Sequence, residues 1–245
     1  MKLIKIFTAV FLLFLSINMY AQTASAEQPA ANDANAESAS SKNPFDEPFW
    51  QNTDFFCGVG PAVYISTGAQ TDSAVSPVIY PVYFGFLWPK DYYFSIQPSL
   101  RFFTGYFYMK DGHVYPAEIE NRTALAYSFF FNIPVSFKMS ILNVSDLSLS
   151  AGLGFLFRFA GLAPDVNDSD YGDTGTAGGD LGEINKWFWG GGRFIYLTLG
   201  ADWLFQITDD IQVGPELSLF IPLGPLFTKF SLNGMIISLG IKFVF

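Results

Sequence analysis

Apolar residues alternate with small or polar residues over most of the chain after residue 53. In the stretch LSLSAGLGFLFRFA, an extended chain places Leu149, Leu153 and Phe157 on one side and Ser150 and Arg158 on the other. A period of two predicts a β-strand with one apolar face. The same alternation predicts eight strands, at about residues 54–67, 78–88, 92–109, 123–139, 147–160, 187–207, 211–223 and 235–245.

The connections between these strands alternate in length. Three are short, and they contain PKD at 89–91, SILNVSD at 140–146 and TDD at 208–210. Four are longer, at about 68–77, 110–122, 161–186 and 224–234. Short turns at one end, long loops at the other and an even strand number are typical of an outer-membrane β-barrel with periplasmic termini.

The first 53 residues predict two segments outside the strands. Lys2 and Lys5 precede the apolar run IFTAVFLLFLSI, and small residues follow at ASA. This order is typical of a secretory signal peptide, cleaved after Ala26 or alternatively after Ala21. Residues 27–53 are rich in Ala, Asn, Ser and Glu, which predicts a disordered periplasmic leader. The predicted organisation is therefore a signal peptide at 1–26, a leader at 27–53 and a barrel at 54–245.

The composition favours a membrane environment for the strands. Aromatic residues make up 18% of the chain and charged residues only 14%, whereas a soluble surface needs roughly 25–35% charged residues. After the signal peptide, the sequence has no apolar run of the ~20 residues that a membrane helix requires. A closed antiparallel β-barrel is the remaining way to satisfy the backbone in lipid.

The net charge argues against a nucleic-acid-binding protein, and the cysteine content excludes a disulfide scaffold. Removal of residues 1–26 takes away two lysines and no acid, which leaves a net charge of about −11. An acidic chain is a poor partner for nucleic acid. Cys57 is the only cysteine, so an internal disulfide framework is excluded.

The two rows of each strand predict which face meets lipid. The polar rows consist mostly of Gly, Ser, Ala and isolated charges, which suit the crowded interior of an eight-stranded barrel better than a solvated surface. Aromatic residues cluster near the strand ends, as in the two interfacial girdles of membrane barrels. The predicted girdle residues are Trp88, Tyr92, Trp203, Phe205, Phe243 and Phe245 toward the short turns, and Tyr80, Tyr106, Trp187 and Trp189 toward the long loops.

With its signal peptide, eight alternating segments and final IKFVF, the chain resembles the small outer-membrane barrels of the OmpW and OmpA-transmembrane type. The resemblance covers roughly residues 54–245 and is architectural. It implies that Phe243 and Phe245 form a signal read by the barrel-assembly machinery, and that the protein lies in the outer membrane, in contact with its lipid. OmpW-type barrels are thought of as conduits for small hydrophobic molecules, so the resemblance also implies such a ligand.

Polar side chains on the inward rows are the candidate lumen residues. They are Arg101, Lys138, Arg158, Asp202, Glu216, Lys242, Gln97 and Asn132, with Gln206 and Gln212 in the same rows. Buried charges need partners, and Glu216 and Lys242 lie on neighbouring strands near one end, so we expect them to pair. The layer either plugs the barrel or lines a narrow polar path.

Prolines interrupt the predicted strands. The positions are Pro61, Pro81, Pro98, Pro134, Pro215 and Pro222. Each removes a backbone donor from the sheet. They mark either bulges and strand ends or a break in the wall through which an apolar ligand passes sideways into the membrane.

The longest loop, APDVNDSDYGDTGTAGGDLGEINK, is acidic. Asp165, Asp168, Asp170 and Asp173 are candidates for contact with a host or surface ligand, because exposed loops carry recognition. Their spacing does not match an EF-hand, and we predict no metal site. The only histidine, His113, has no serine within several residues to act as a nucleophile, so we predict neither an enzyme nor a cofactor.

Two functions therefore stay open from sequence. The first is a narrow channel or conduit for small or hydrophobic solutes. The second is a closed, surface-exposed barrel that acts through its loops as an adhesin or interaction protein.

Overall fold

The computed structural model describes residues 48–66, 78–90, 92–141, 145–208 and 210–245. The predicted signal peptide, most of the predicted leader and all of the predicted loop at 68–77 lie outside these residues. Those three predictions therefore stay untested.

Strands, in which successive side chains point to opposite faces, form most of the described structure. The strands are β1 (Asp54–Val59), β2 (Ala62–Ile65), β3 (Val78–Ile79), β4 (Val82–Leu87), β5 (Phe94–Ile96), β6 (Ser99–Lys110), β7 (His113–Ala117), β8 (Ala124–Ile141), β9 (Ser145–Leu162), β10 (Ile195–Thr208), β11 (Ile211–Pro222) and β12 (Met235–Val244). The α-helices are α1 (Ala177–Trp189) and α2 (Leu223–Lys229), and short 3-10 turns occupy Phe49–Gln51 and Gly190–Gly192. No helix in the described residues is long and apolar enough to cross a membrane.

All the strands join one antiparallel sheet. Its hydrogen-bonded order is β1-β4-β6-β8-β9-β10-β11-β12-β2-β3, with β5 paired to β8 and β7 to β6. The first strand also pairs with the last, from Phe56 opposite Val244 to Val59 opposite Ile241. The prediction of an all-β antiparallel sheet with at least eight strands is confirmed.

Each of the first three predicted strands is interrupted at a proline. The breaks fall at Pro61 between β1 and β2, at Pro81 between β3 and β4, and at Pro98 between β5 and β6. Proline has no N–H to donate to a neighbouring strand. The other three prolines do not break a strand: Pro134 and Pro215 lie inside β8 and β11, and Pro222 is the last residue of β11.

Among the residues that the structure describes, no strand pairs with one edge of β6 at Phe103, Thr104 and Gly105. On this edge the ladder with β4 ends at Phe102 opposite Val82, and the ladder with β7 begins at Tyr106 opposite Ala117. Strand β3 lies near, but within the described residues its only ladder is with β2. We call this interruption between β3 and the Phe103–Gly105 segment of β6 the seam.

The two faces of the sheet differ sharply. The outward rows are apolar and exposed; Phe84, for example, is 62% exposed. Between the ends of the described strands, these rows carry no charged side chain. The inward rows hold the buried residues, and the sheet curls so strongly that Arg101 on β6 contacts Glu216 on β11.

A helix occupies part of the chain where sequence predicted a loop and a strand. The prediction that the sixth strand begins at residue 187 is wrong, because α1 extends to Trp189 and β10 begins at Ile195. Thr176 caps α1, accepting a hydrogen bond from the Gly179 N–H at 3.1 Å. Trp187 and Trp189 therefore belong to a helix rather than to a strand end. The predicted loops at 110–122 and 224–234 likewise contain β7 and α2.

Candidate functional site

The inner face of the curled sheet carries a layer of four charged side chains. Arg101, Asp202, Glu216 and Lys242 come from β6, β10, β11 and β12, and each is almost completely buried. The sequence predicted that all four face inward. The structure brings them together around one centre, with Gln97 and Asn132 beside them.

The four charges form two pairs. The guanidinium of Arg101 donates to the carboxylate of Glu216 and, at 3.2 Å, to the hydroxyl of Ser218. The ammonium of Lys242 lies 3.3 Å from Asp202 Oδ2 and donates to Gln97 Oε1 at 3.1 Å. Sequence predicted a Glu216–Lys242 contact instead. The partners differ because the curl brings β6 across to β11, a long-range contact that no local pattern contains.

A small cavity lies among these residues. Its volume is about 20 Å³, and its lining includes the two ion pairs, Asn132 and Thr198. A cavity needs roughly 10–15 Å³ to hold one water molecule, so this space is water-sized. The layer therefore fills the cross-section of the curled sheet instead of leaving a wide polar passage.

The remaining inward polar residues predicted from sequence lie elsewhere. Lys138 is only half-buried, and its ammonium donates to the carbonyl of Lys90 at 2.8 Å, near a short turn. Gln212 donates to Asp146 at 3.0 Å, and Gln206 is exposed. These three residues do not line the cavity.

Above the charged layer, toward the long loops, lies a ring of apolar side chains. Its buried members come from β2, β3, β6 and each of β8 to β12: Ala62, Tyr64, Ile79, Phe103, Phe130, Leu156, Tyr196, Phe220 and Ile236. Two of them, Ile79 and Phe103, belong to the two sides of the seam. The apolar ring therefore includes one buried side chain from each side of the seam.

Arg158 on β9 lies inside the upper part of the sheet. It is 4% exposed, and its guanidinium donates to the hydroxyls of Tyr64 at 3.3 Å and Tyr196 at 3.5 Å. The rings of Tyr64, Phe107 and Phe188 lie 5.0, 5.7 and 5.2 Å from its central carbon. Sequence predicted that Arg158 faces inward, but it did not predict these aromatic partners, since Phe188 lies on the unpredicted helix.

Helix α1 covers the upper end of the sheet. Ile184 and Phe188 are buried against Phe107, Ala124 and Ala126 of β6 and β8. The side chain of Asn185 bonds to both backbone groups of Ala160 on β9, each at 3.0 Å. The helix thus continues the hydrogen bonding of the sheet and closes its interior at this end.

The acidic loop before α1 is held by its own carboxylates. Asp180, which is 1% exposed, accepts from the N–H groups of Asp173 and Thr174 at 2.9 and 2.8 Å. Asp173 in turn accepts from Asp111 and Gly112 in the β6–β7 turn at 3.0 and 2.9 Å.

The other predicted loop-contact residues are exposed. Asp170 accepts from the N–H of Asn167 at 2.7 Å, Asp165 lies 3.7 Å from Arg122, and Asp168 lies beside Gly178. The side chain of Asp165 is 94% exposed. Their role in recognition stays a prediction.

The remaining predicted residues are also accounted for. His113 is exposed, and its Nδ1 lies 2.8 Å from the carbonyl of Asp111. No group of three or more His, Cys, Asp or Glu residues in the described part of the chain is placed to hold a metal ion.

Phe243 faces outward on β12, and the backbone of Phe245 forms two 2.9 Å hydrogen bonds with Phe55. Their role as an assembly signal stays a prediction.

No protein-family model matches this chain, and no curated protein matches it. The crystal structure of the outer membrane protein OprG from Pseudomonas aeruginosa is similar to it, with 10% identity, coverage of 78% of this chain and 95% of that one, and a TM-score of 0.45. Neisserial surface protein A is similar with 7% identity, coverage of 78% and 96%, and a TM-score of 0.44. Ail, the attachment invasion locus protein of Yersinia pestis, is similar with 8% identity, coverage of 79% and 97%, and a TM-score of 0.41. All three are small outer-membrane barrels, the class that the sequence resembles.

Proposed function

We propose that the chain is an integral outer-membrane protein, built as a closed eight-stranded barrel over residues 54–245, that serves as a conduit for small hydrophobic solutes. The pairing of β1 with both β4 and β12 supports closure. The twelve strands correspond to eight barrel strands. Each of the pairs β1/β2, β3/β4 and β5/β6 counts as one interrupted strand, and the short β7, which pairs only with β6 in the described residues, is not counted as a barrel strand.

The outward rows support a membrane location. A continuous exposed apolar surface without charged side chains is far larger than the patches that soluble monomers expose. Strand β12 has ten residues, Met235–Val244, and a tilted membrane strand needs about 9–11. Lipid is the environment in which such a surface is stable.

The seam is the observation that carries the conduit. On its two sides, Ile79 and Phe103 face the apolar ring and Thr104 is exposed on the outer face, which supports a route between the two. An apolar solute that reaches the ring can leave sideways without crossing the charged layer below. A polar pore along the axis is less well supported, because the ion pairs, the apolar ring and α1 occupy that axis in succession.

The test is uptake of an uncharged fluorescent hydrocarbon dye into asymmetric vesicles whose outer leaflet is lipopolysaccharide. We expect the reconstituted full chain to raise the initial rate of uptake several-fold over protein-free vesicles. In Pro81→Val the new residue supplies a backbone N–H and favours extended structure. We expect this change to narrow the seam and to reduce uptake.

Pro215→Val is the matched control, because Pro215 lies in β11, where the ladders on both sides are continuous. This variant should behave like the unmodified chain. Uptake no faster than in protein-free vesicles would refute the conduit. Equal uptake by all three proteins would show that solutes do not use the seam.

A second candidate, an adhesin acting through its loops, is favoured by the order of the acidic loop. Asp173 and Asp180 fix a segment that presents Tyr171, which is 94% exposed. A preorganised loop loses less entropy on binding. Cells that display the protein should then adhere to host cells more than cells displaying Tyr171→Ala, and equal adhesion would remove this candidate.

A further inference from the structure

Arg158 differs from the other deeply buried cations of the inner face. Arg101 and Lys242 each contact a carboxylate. Arg158 is equally buried, yet it has no ion-pair partner among the residues that the structure describes. Its Nε is buried without a hydrogen-bond partner there, as is the Nε of Arg101. Tyrosine hydroxyls and aromatic rings surround this buried charge, but no carboxylate among the described residues neutralises it.

Arg158 contacts the strands next to the seam. Arg158 belongs to β9, but its guanidinium reaches Tyr64 of β2 and the ring of Phe107 of β6. Strand β2 carries β3, which forms one side of the seam, and β6 forms the other. Tyr64 also belongs to the same apolar ring as Ile79 and Phe103. The cation therefore lies beside one member of the apolar ring, Tyr64, and beside β6, which forms one side of the seam.

We propose that Arg158 is the receptor for the head group of an amphiphilic anion, a molecule with one carboxylate and an apolar tail. This inference rests on the proposed conduit and names its substrate class. The planar guanidinium can bind a carboxylate through two parallel N–H donors. The tail then packs against the apolar ring, with Ile79 and Phe103 bordering its way to the lipid.

The surrounding groups fit such a ligand. The Tyr64 hydroxyl near the guanidinium can donate to a carboxylate, whereas the Tyr196 hydroxyl already donates to the carbonyl of Gly234 at 3.2 Å. No described acidic residue forms an ion pair with Arg158 that the ligand would have to displace. Phe188 of α1 covers the guanidinium at 5.2 Å. Binding therefore requires a shift of the helix, whose neighbouring Trp187 and Trp189 provide a fluorescence signal.

The experiment measures binding of decanoate and of decanol to the refolded full chain in phospholipid vesicles at about pH 8, where a carboxylic acid in water is ionised. Titrations follow heat and tryptophan fluorescence. We expect saturable binding of both, with decanol about tenfold weaker, as for the loss of one charge-assisted contact. In Arg158→Met, decanoate should bind no better than decanol.

The matched control is the double variant Arg101→Gln/Glu216→Gln, which removes a paired buried arginine together with its partner. It should keep the preference for decanoate. If Arg158→Met does not refold, Arg158→Lys serves instead: it keeps the charge without the planar fork, and its preference should fall below that of the unmodified chain. An unchanged preference in the Arg158 variant contradicts the inference.

The outcomes separate this inference from the proposed function. Equal saturable binding of decanoate and decanol to the unmodified chain overturns the role of Arg158 and leaves the hydrophobic conduit intact. Absence of saturable binding for both compounds, in a chain that has refolded, overturns the conduit and the inference together.

Discussion

Asp202 and Glu216 lie directly opposite each other on β10 and β11. Two carboxylates in this position repel each other unless each has a cation. The cations come from outside this strand pair: Arg101 reaches Glu216 from β6, and Lys242 reaches Asp202 from β12. Aromatic rings support both cations, with Tyr83 at 4.0 Å from Arg101 and Phe56 at 4.5 Å from Lys242. The four charged side chains therefore stabilise the curled sheet only when all four are present.

We expect Arg101→Gln to destabilise the protein by about 3–5 kcal/mol, since it leaves a buried carboxylate without its partner. The double variant Arg101→Gln/Glu216→Gln should lose much less, because two amides can bond to each other and to Ser218. Reversible urea unfolding in phospholipid vesicles measures both. A double variant no more stable than Arg101→Gln would show that Glu216 does not depend on Arg101.

At the scale of elements, α1 and the loop before it form one unit. Asp180 accepts the N–H groups of Asp173 and Thr174 and the Thr174 hydroxyl, at 2.9, 2.8 and 2.7 Å. These bonds are local to residues 173–180, whereas the packing of Ile184 and Phe188 attaches the helix to the sheet. Order in the loop and attachment of the helix are therefore separable properties.

Replacement of Asp180 by alanine should loosen the loop without unfolding the sheet, because the N–H groups of Asp173 and Thr174 lose their acceptor. We expect several-fold faster proteolytic cleavage within residues 163–176 and an unchanged midpoint of urea unfolding. Asp165→Asn is the control, since the exposed Asp165 side chain makes a 3.7 Å ion pair and asparagine tolerates its positive φ of 69°. Equal cleavage of the two variants would contradict the role assigned to Asp180.

The strands could be predicted because each has one buried face and one exposed face, which leaves a period of two in the sequence. Five of the eight, at β8 to β12, also form uninterrupted strands as predicted, although β10 starts later than expected. The breaks at Pro61, Pro81 and Pro98 could not be separated from the tolerated Pro134 and Pro215, because the difference lies in neighbouring strands. Pro134, for instance, lies opposite Gly152, where a side chain would collide with its backbone.

Neither helix α1 nor the pairing of the lumen charges could be predicted from local sequence patterns. The helix contains three Trp or Phe residues in WFW beside a glycine-rich turn, and its buried positions are Ala177, Asp180, Ile184 and Phe188. A strand over WFW agreed equally well with the predicted aromatic girdle. The inward direction of Arg101, Asp202, Glu216 and Lys242 followed from strand parity, but their partners depend on the curl of the whole sheet.

For the whole molecule, the interior is filled in layers from one end to the other. The ion pairs occupy the lower layer, the nine-residue apolar ring lies above them, and Arg158 lies between this ring and the helix. Within the described residues, the ladders of the wall are interrupted at the seam. We therefore expect the molecule to resist passage along its axis, and the proposed conduit to exchange apolar solutes through its side, which is the opposite of a water-filled porin.

This contrast predicts that the refolded chain is electrically silent in a planar bilayer at physiological salt. Phe188→Ala should remain silent, although it removes the ring that covers Arg158, because the apolar ring and the charged layer still block the axis. Uptake of the apolar dye by the same preparation shows that the protein is folded and inserted. Discrete channel openings in the unmodified chain would contradict the layered block, and openings only in Phe188→Ala would make α1 its principal barrier.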